Sequence, residues 1–389
     1  MFIWFSLPAY LPVIIDELRL SGTQAGVVAG AVPLTYIPLA LVSGLVVDRV
    51  GPGRSLATGI AIYGVGQLGR SAAGGFPSLL AFTLLIGVGA TAITFGLPKL
   101  VSVLFPPDRT GFPSSIYLVG ASAGTASAFA VGRPVLGPAL GGWRPLFFWS
   151  GAVAVGYACV WFLVSRVARV DERSRERGRA EAVANGGGTT DRLESIRRDL
   201  RLVLTHPELR LVVVIGTMYL LLSHGMQGWL ATVLESRGFA ADRAGRTTSL
   251  LVAAYAAGIL TVPALADRFD ARRLALMCCG VVAFVGVSGV IAGGVGPLLL
   301  ASVVVTGMGT GGLSPLVRAI PPELEGIGAR LTGTAVGFIF AVGEIGGFLG
   351  PVLVGTLHDL TGSYVPGLGL LALGGLVVVG AGYGLRSVD

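Results

Sequence analysis

The chain has 389 residues, of which 53% are hydrophobic and only 13% are charged, with a formal net charge of +7. Soluble domains carry about 25% charged residues, so this composition, with a mean hydropathy of +0.79, excludes a water-soluble fold and predicts an integral membrane protein. In a soluble chain the positive charge would suggest nucleic acid. Here we expect no nucleic-acid partner, because the basic residues lie mostly between apolar segments.

A membrane-spanning helix needs about 20 apolar residues, and the sequence contains twelve candidate segments in two sets of six. It therefore predicts an all-α membrane protein with a first half over 1–166, a linker over 167–208 and a second half over 209–389. The candidate spans are roughly 1–16, 24–48, 54–74, 77–104, 111–140, 144–166, 209–234, 243–266, 273–293, 296–319, 330–357 and 365–386.

The first span and the linker leave two points open. The first span starts in apolar residues and lacks the basic region of a signal peptide, which leaves open a start upstream of Met1. The linker is the one extended hydrophilic stretch, and 191–204 alternates charge and leucine like an amphipathic surface helix. We interpret it as a solvated connection between the halves; a regulatory partner site is the alternative.

A charged, glycine-rich turn separates the second and third spans, and a related turn separates the eighth and ninth, 219 residues later. Glycine and proline supply the turn geometry. The same offset relates Tyr36 to Tyr255. The chain is therefore predicted to hold two copies of one six-helix unit, an arrangement found in transporters. The turn residues are Gly44, Asp48, Arg49, Gly51 and Arg54 in the first copy and Asp267, Arg268 and Arg273 in the second.

The distribution of basic residues predicts the topology. Of the 28 basic residues, 21 lie in the even-numbered connections and at the C-terminus, and 7 lie elsewhere. By the positive-inside rule, these two charged turns and both termini are cytoplasmic. We therefore expect a multi-pass protein of the cell membrane.

Glu344 is the most informative single residue, because it lies at the midpoint of the eleventh predicted helix. A carboxylate near the bilayer centre costs several kcal/mol unless it is neutralised, paired or facing a watery cavity. We interpret Glu344 as a proton carrier or a substrate contact. The alternative is a protonated glutamic acid bonded to a neighbouring helix.

No enzyme, cofactor or metal site is predicted. The three cysteines lie in apolar runs, and the three histidines form no metal-binding pattern. A dinucleotide-like motif at 307–312 and a hydrolase-like motif at 120–124 both lie inside apolar helices with no preceding strand, so they indicate close helix packing instead.

These patterns together resemble the major facilitator superfamily. The stretch Gly44-x3-Asp48-Arg49-x-Gly51 matches that family's signature between helices 2 and 3, and Gly137-Pro138 and Gly350-Pro351 are typical of its helices 5 and 11. Two further features resemble the cyanate- and nitroimidazole-type permeases: Pro98-Lys99 followed by Phe105-Pro-Pro, and Trp229-Leu-x5-Glu235. The chain departs from the family at Thr83, where an arginine is usual.

The resemblance implies a monomeric secondary transporter that works by alternating access in the lipid bilayer. The substrate is expected to be a small organic or inorganic anion, with proton coupling through Glu344. The alternatives are an efflux transporter of small hydrophobic compounds and, in a different class, a non-transporting polytopic sensor. The glycine-rich turn with Asp48 would then be a cytoplasmic gate, in which the aspartate caps a neighbouring helix or pairs with an arginine across the two halves. A plain positively charged turn is the alternative.

Several polar residues near mid-span extend this prediction. His224 and Gln227 lie on helix 7, which usually lines the cavity in this family; a buried, hydrogen-bonded histidine is equally compatible. Tyr36 and Tyr255 are predicted to clamp a solute from the two halves, with core packing as the alternative.

Three cationic residues nearer the helix ends are candidates for contact with an anion: Lys99, Arg133 and Arg318. For each of them the alternative is a side chain that snorkels to the membrane surface. Gln67 and Arg70 lie on helix 3 and are given no role.

Overall fold

The computed structural model describes residues 1–106, 109–176, 202, 205–294, 296–324 and 327–386. Within these ranges the chain forms twelve long helices. The bilayer core contains no water, so apolar side chains are favoured there and backbone polar groups must be hydrogen-bonded within the helix. An apolar composition and a helical fold therefore occur together. The helices are α1 Phe2–Leu18, α2 Gly22–Val50, α3 Pro52–Ser71, α4 Phe76–Leu104, α5 Gly111–Leu140, α6 Trp143–Val167, α7 Pro207–Ser236, α8 Ala241–Phe269, α9 Arg272–Ala292, α10 Pro297–Ala319, α11 Gly328–Thr361 and α12 Val365–Gly384.

Ten of these helices are long and apolar enough to cross a membrane by themselves. Of the other two, α1 has 17 residues, and α3 is rich in glycine and carries Gln67 and Arg70. Those two polar side chains are fully buried between helices, with exposures of 0% and 1%. The polar side chains of α3 therefore face the neighbouring helices and not the lipid. The predicted surface helix over 191–204 lies outside the described residues, apart from Leu202.

The two-copy prediction is confirmed by the helix boundaries. Helices α2 and α8 each contain 29 residues. One offset of 219 residues relates both their first residues, Gly22 and Ala241, and their last, Val50 and Phe269. The chain therefore consists of two pseudo-symmetric six-helix bundles, α1–α6 and α7–α12. We call the end that holds the α2–α3 and α8–α9 turns the turn side, and the opposite end the far side.

On the far side the two bundles pack closely, because glycines let α2 approach α11. A Cβ atom added at Gly26 would lie 2.5 Å from the carbonyl oxygen of Pro351, and one at Gly30 would lie 2.7 Å from that of Phe348. Small residues allow such backbone contact between membrane helices. No larger residue fits at either position.

A carboxylate strengthens this closure. Asp359, near the end of α11, accepts hydrogen bonds of 2.7 Å from the backbone N–H groups of Gly22 and Thr23 and from the Thr23 hydroxyl. These are the free N–H groups at the start of α2, where an acceptor and a negative charge are both favourable. The second bundle therefore caps a helix of the first.

On the turn side the same helix faces separate. Helical periodicity places Gly44 on the face of α2 that carries Gly26 and Gly30, and places Gly337 on the face of α11 that carries Glu344 and Pro351. A Cβ atom added at Gly44 or Gly337 would meet nothing within 4 Å. The bundles are therefore in contact on the far side and apart on the turn side at these positions. We call the space left between them the cavity.

Replacing Gly26 should open the far side. Gly26→Val would push its side chain into the backbone of α11, so the two bundles could no longer meet there. The measurement is a spin-label distance between Gly74→Cys and Gly294→Cys, two exposed far-side turns of opposite bundles, with the three native cysteines replaced. We expect a longer distance in Gly26→Val.

Gly380→Val is the matched control, because Gly380 lies in α12 with nothing within 4 Å of an added Cβ atom. It should retain the distance of the parent protein. An unchanged distance in Gly26→Val would show that the glycine contact does not hold the far side closed.

Candidate functional site

A central cluster of four side chains lies where the two bundles meet at mid-span. It consists of Trp4 on α1, Tyr36 on α2, His224 on α7 and Glu344 on α11. The ring of Trp4 stacks on His224 with centroids 5.6 Å apart, and it lies 6.1 Å from the ring of Tyr36. The cluster therefore joins the first bundle to the second through aromatic contact.

Glu344 is oriented toward this junction. A Cβ atom added at Gly347, one turn further along α11, would lie 2.7 Å from Glu344 Oε2, 3.2 Å from Pro33 Cβ and 3.3 Å from His224 Cδ2. Within the described residues, Oε2 is buried and has no hydrogen-bond partner. An ionised carboxylate in such a place is costly, whereas a bound proton or a polar solute would relieve that cost.

The other predicted polar residues of this region have partners within their own bundle. The Tyr36 hydroxyl is 2.8 Å from Thr94 Oγ1 on α4. Gln227 Nε2 donates to Ser223 Oγ at 2.9 Å on the same helix, one turn from His224. Both His224 and Gln227 are half-buried. These bonds orient the side chains around the cluster without closing the cavity.

Tyr255 lies in the second bundle at the position that the repeat relates to Tyr36. Its hydroxyl is 2.5 Å from the hydroxyl of Tyr219 on α7. The tyrosine clamp stays a prediction: each hydroxyl is bonded inside its own bundle, and a solute would have to compete with those bonds.

Asp48 pairs within the first bundle. Its carboxylate is 2.9 Å from Lys99 Nζ on α4, and both side chains are partly exposed. The predicted partner was an arginine in the other half. With the turn side open, the bundles are apart at this point, so the pair with Lys99 is the arrangement of the open state.

Each of the two charged turns is fastened near the end of the sixth helix of its own bundle. In the first, Gly51 has a φ of 99°, the N–H of Gly53 donates to Asp171 at 2.8 Å, and Arg54 lies 3.7 Å from the same carboxylate. In the second, Arg273 donates to the carbonyl oxygens of Gly382 and Tyr383.

The remaining turn residues differ between the two copies. Asp267 accepts hydrogen bonds of 2.9 and 3.0 Å from Arg272, and Arg272 also pairs with Glu323. Arg49 and Arg268 are exposed. Both turns are thus held near the end of a sixth helix. Their aspartates differ in partner, because Asp48 pairs with Lys99 and Asp267 pairs with Arg272.

Arg133 lies in an ion pair that joins the bundles on the far side. Its Nη2 is 2.7 Å from Glu235 Oε2 on α7, with only 8% and 17% of the two side chains exposed. A π-helical segment over Ala128–Leu136 shapes this part of α5, and Pro134 accounts for the irregularity because it lacks an N–H. The widened turn leaves the carbonyls of Gly132 and Arg133 to accept from the Tyr10 hydroxyl.

Sequence reasoning missed three features of this region. Trp4 looked like any apolar residue of a short first span. Glu235 was noted only as part of a permease-like motif, and Asp359 was given no role, because nothing in the sequence indicated which residues of the other bundle lie opposite them. The sequence did contain a signal for one pair, Arg133 and Glu235. Glu235 lies at the end of one apolar helix and Arg133 in the outer part of another, a pattern that is typical of an ion pair between helices.

Gln67 and Arg70, which were given no role, form a buried network in the first bundle. Arg70 Nε donates to Thr83 Oγ1 at 3.0 Å, and Nη1 donates to the carbonyl oxygen of Ile3 at 3.2 Å. Gln67 Nε2 donates to Ser6 and Ser150. The guanidinium therefore lies beside Thr83, the position at which the resemblance leads us to expect an arginine. In the described part of the chain, no group of three or more histidine, cysteine or acidic residues could hold a metal ion.

Comparison with known proteins agrees with this architecture. A family model of the Major Facilitator Superfamily matches residues 1–351. The 3-(3-hydroxy-phenyl)propionate transporter of Escherichia coli (strain K12) is 29% identical over 371 residues, covering 94% of this chain and 85% of that protein. The cyanate transport protein of the same organism is 26% identical over 364 residues, covering 92% and 87%. A bacterial homolog of the lysosomal transporter Spinster, in an inward-facing and unoccupied conformation, has a TM-score of 0.76 at 16% identity, covering 98% and 92%.

The chain therefore belongs to the major facilitator superfamily, and its two six-helix bundles are the fold of that family. The resemblance to cyanate-type permeases is confirmed by the similarity to a cyanate transport protein. These relatives are transporters rather than enzymes, so the protein is a multi-pass membrane transporter of small solutes.

Breaking the far-side ion pair one partner at a time should destabilise the closed state. Arg133→Gln or Glu235→Gln alone leaves a buried charge without its partner, at a cost of about 3–5 kcal/mol. The double variant leaves no unpaired charge and should melt at a higher temperature in detergent than either single variant. Equal melting temperatures for all four proteins would contradict this. Arg246→Gln, which removes an exposed pair with Asp242, is the control and should change little.

The predicted gating role of Asp48 can be tested with Asp48→Asn. The variant should slow transport while leaving membrane insertion intact, because it removes the charge through which the predicted gate would pair. We expect a fall in uptake rate of about 10-fold, within the usual range for coupled equilibria, measured in proteoliposomes. Lys99→Gln separates two explanations: an equal loss indicates that the pair seen in the open state suffices, and a smaller loss indicates a second partner for Asp48 in the closed state. Unchanged uptake in Asp48→Asn would exclude a gating role.

Proposed function

We propose that this protein is a secondary active transporter that moves a small organic or inorganic anion across the cell membrane by alternating access. The observation that carries the proposal is the position of Glu344, a buried acid without a hydrogen-bond partner among the described residues. It lies at the closed end of a one-sided cavity, between the two bundles that must separate when the cavity reopens on the other side. The anion class is supported by the printed names of the two relatives above.

In this proposal the bundles 1–166 and 209–389 move as units around the central cluster, and 167–208 connects them. The positive-inside rule makes the turn side cytoplasmic, so the open cavity faces the cytoplasm. The far-side contacts at Gly26, Asp359 and Arg133 form the outer gate, and the turn with Asp48 belongs to the inner gate. The protein works as a monomer, because each chain holds both halves of the site.

Glu344 is the proposed proton carrier. The titratable groups beside it are His224 from α7, which shares the space beside Gly347, and Tyr36 from α2, which belongs to the same cluster through its ring contact with Trp4. A proton on Glu344 removes a buried negative charge, so the proton and the substrate anion can enter the cavity together. Deprotonation toward the other side would then release the anion.

The anion class can be tested by ligand-induced stabilisation of the purified protein. Small carboxylates, cyanate, nitrate and heteroaromatic acids are added at two pH values, and the melting temperature is measured. We expect stabilisation by at least one anion, and more at the lower pH. Stabilisation only by cations or by neutral lipophilic compounds would overturn the anion proposal and favour the efflux alternative.

Glu344→Gln should separate proton coupling from substrate binding. Glutamine mimics the protonated acid, so the variant should still bind the best-stabilising anion and exchange it across a proteoliposome membrane. Accumulation driven by a pH gradient should fall by roughly 10-fold or more. Asp242→Asn, at an exposed position of α8, is the control and should keep gradient-driven uptake. If Glu344→Gln kept full accumulation and full pH dependence, Glu344 would not be the proton carrier.

A further inference from the structure

Arg318 points into the protein rather than toward the membrane surface. It lies one residue before the end of α10 on the turn side, and its Nη1 donates to the carbonyl oxygen and hydroxyl of Ser314 at 2.7 and 2.6 Å. Side chains on a helix lean toward its N-terminus, which for α10 is the far side. The guanidinium therefore lies about one turn deeper than its own Cα atom. A snorkelling arginine would extend in the opposite direction, so that alternative does not describe this side chain.

The guanidinium lies over an aromatic ring that borders the cavity. Arg318 Cζ is 4.1 Å from the centroid of Phe340 on α11, a close cation–π contact. Phe340 shares a helical face with Gly337, beside which there is open space, and with Glu344. Arg318 is itself exposed, and its contact with Phe340 places the positive charge on the side of α11 that borders the cavity.

The charge of Arg318 is available to a ligand. Within the described residues, no carboxylate forms an ion pair with Arg318; the nearby acids Asp267 and Glu323 are engaged by Arg272. The hydrogen bonds to Ser314 use Nη1 alone. The edge of the guanidinium formed by Nε and Nη2 thus offers two parallel donors, the arrangement that binds a carboxylate in bidentate fashion.

The second recognition element is the aromatic part of the central cluster. The rings of Trp4, Tyr36 and His224 pack against one another at the closed end of the cavity. Trp4 and Tyr36 are buried and His224 is half-buried, so a ligand would meet the edge of this aromatic group, which favours a flat π-system over an aliphatic chain. Phe340 and Gly347, which mark the levels of Arg318 and His224 on α11, are seven residues apart, or about 10 Å along the helix. A ring joined to a carboxylate by a short carbon chain spans that distance.

We propose that the substrate is an aromatic monocarboxylate, bound with its carboxylate on Arg318 and its ring against Trp4, Tyr36 and His224. This rests on the proposed function and narrows it, since anion transport alone requires neither the ring nor this arginine. Ser314 and Phe340 are positioning residues, which hold the guanidinium one turn below Glu344.

The test compares three ligands of nearly equal shape on the purified full-length protein. These are 3-phenylpropionate, the neutral 3-phenylpropionamide and the saturated 3-cyclohexylpropionate, with binding measured by calorimetry. The parent protein should bind 3-phenylpropionate roughly 10- to 100-fold more tightly than the amide, the range expected for a charge-assisted hydrogen-bonded pair. It should also prefer the phenyl over the cyclohexyl acid.

Two variants assign each preference to its residue. In Arg318→Gln the preference for the acid over the amide should disappear while the preference for the phenyl ring persists, and Arg318→Lys should recover part of the acid preference. In Trp4→Leu the ring preference should shrink while the acid preference persists. Arg246→Gln is the matched charge control, because it removes an exposed arginine of the same bundle, and it should behave like the parent. These ratios are measured within one protein, so a variant with lower stability still reports them.

The failures are distinguishable. Tight binding of aliphatic carboxylates or cyanate without binding of 3-phenylpropionate would overturn the aromatic substrate and leave the proposed anion transport standing. Binding of 3-phenylpropionate that Arg318→Gln leaves unchanged would overturn the role of Arg318. Binding of the amide and of neutral compounds only would overturn the proposed anion function itself.

Discussion

The backbone contact between α2 and α11 on the far side is the constraint on which the rest of the structure depends. Gly26 and Gly30 let the helices approach until only backbone and Pro351 or Phe348 lie between them, and Asp359 caps α2 at the same end. Because the helices are rigid and meet at one end, their other ends diverge. The cavity, its one-sided opening and the depth of the central cluster all follow from this contact.

The polar groups of the structure divide by their accessibility. Buried charges that seal the far side are paired, as Arg133 is with Glu235, or networked, as Arg70 is with Gln67 and Thr83. By contrast, Glu344 lacks a hydrogen-bond partner for Oε2, and Arg318 lacks a carboxylate, within the described residues. Glu235 Oε1 is also buried without a hydrogen-bond partner among the described residues, but the charge of Glu235 is balanced by Arg133. Charges that are balanced in this way hold a conformation, and a charged group without an opposite charge beside a cavity is one that a proton or a solute can bind. This distinction, more than residue type, separates gate from site.

The two copies of the six-helix unit share some contacts of their turns and differ in others. Both brace the end of the sixth helix of their bundle, through Asp171 in one and the C-terminal carbonyls of α12 in the other. Bracing is required wherever a helix pair must move as a unit, so it recurs in both copies. The central cluster is not repeated: the first bundle contributes Trp4 and Tyr36, and the second contributes His224 and Glu344.

The sequence by itself determined the class of protein, the number of helices, the two-copy organisation and the family, because these depend on local hydropathy, turn chemistry and a motif at fixed spacing. It also singled out Glu344, since a mid-span acid is costly in any fold. Only the tertiary structure decided which residues face each other: Trp4 on His224, Arg133 on Glu235, Asp48 on Lys99. Those pairs join helices distant in sequence, and the approach of the helices is set by backbone packing across the whole interface. The direction of Arg318, which turned a surface arginine into a candidate ligand-binding group, was decided in the same way.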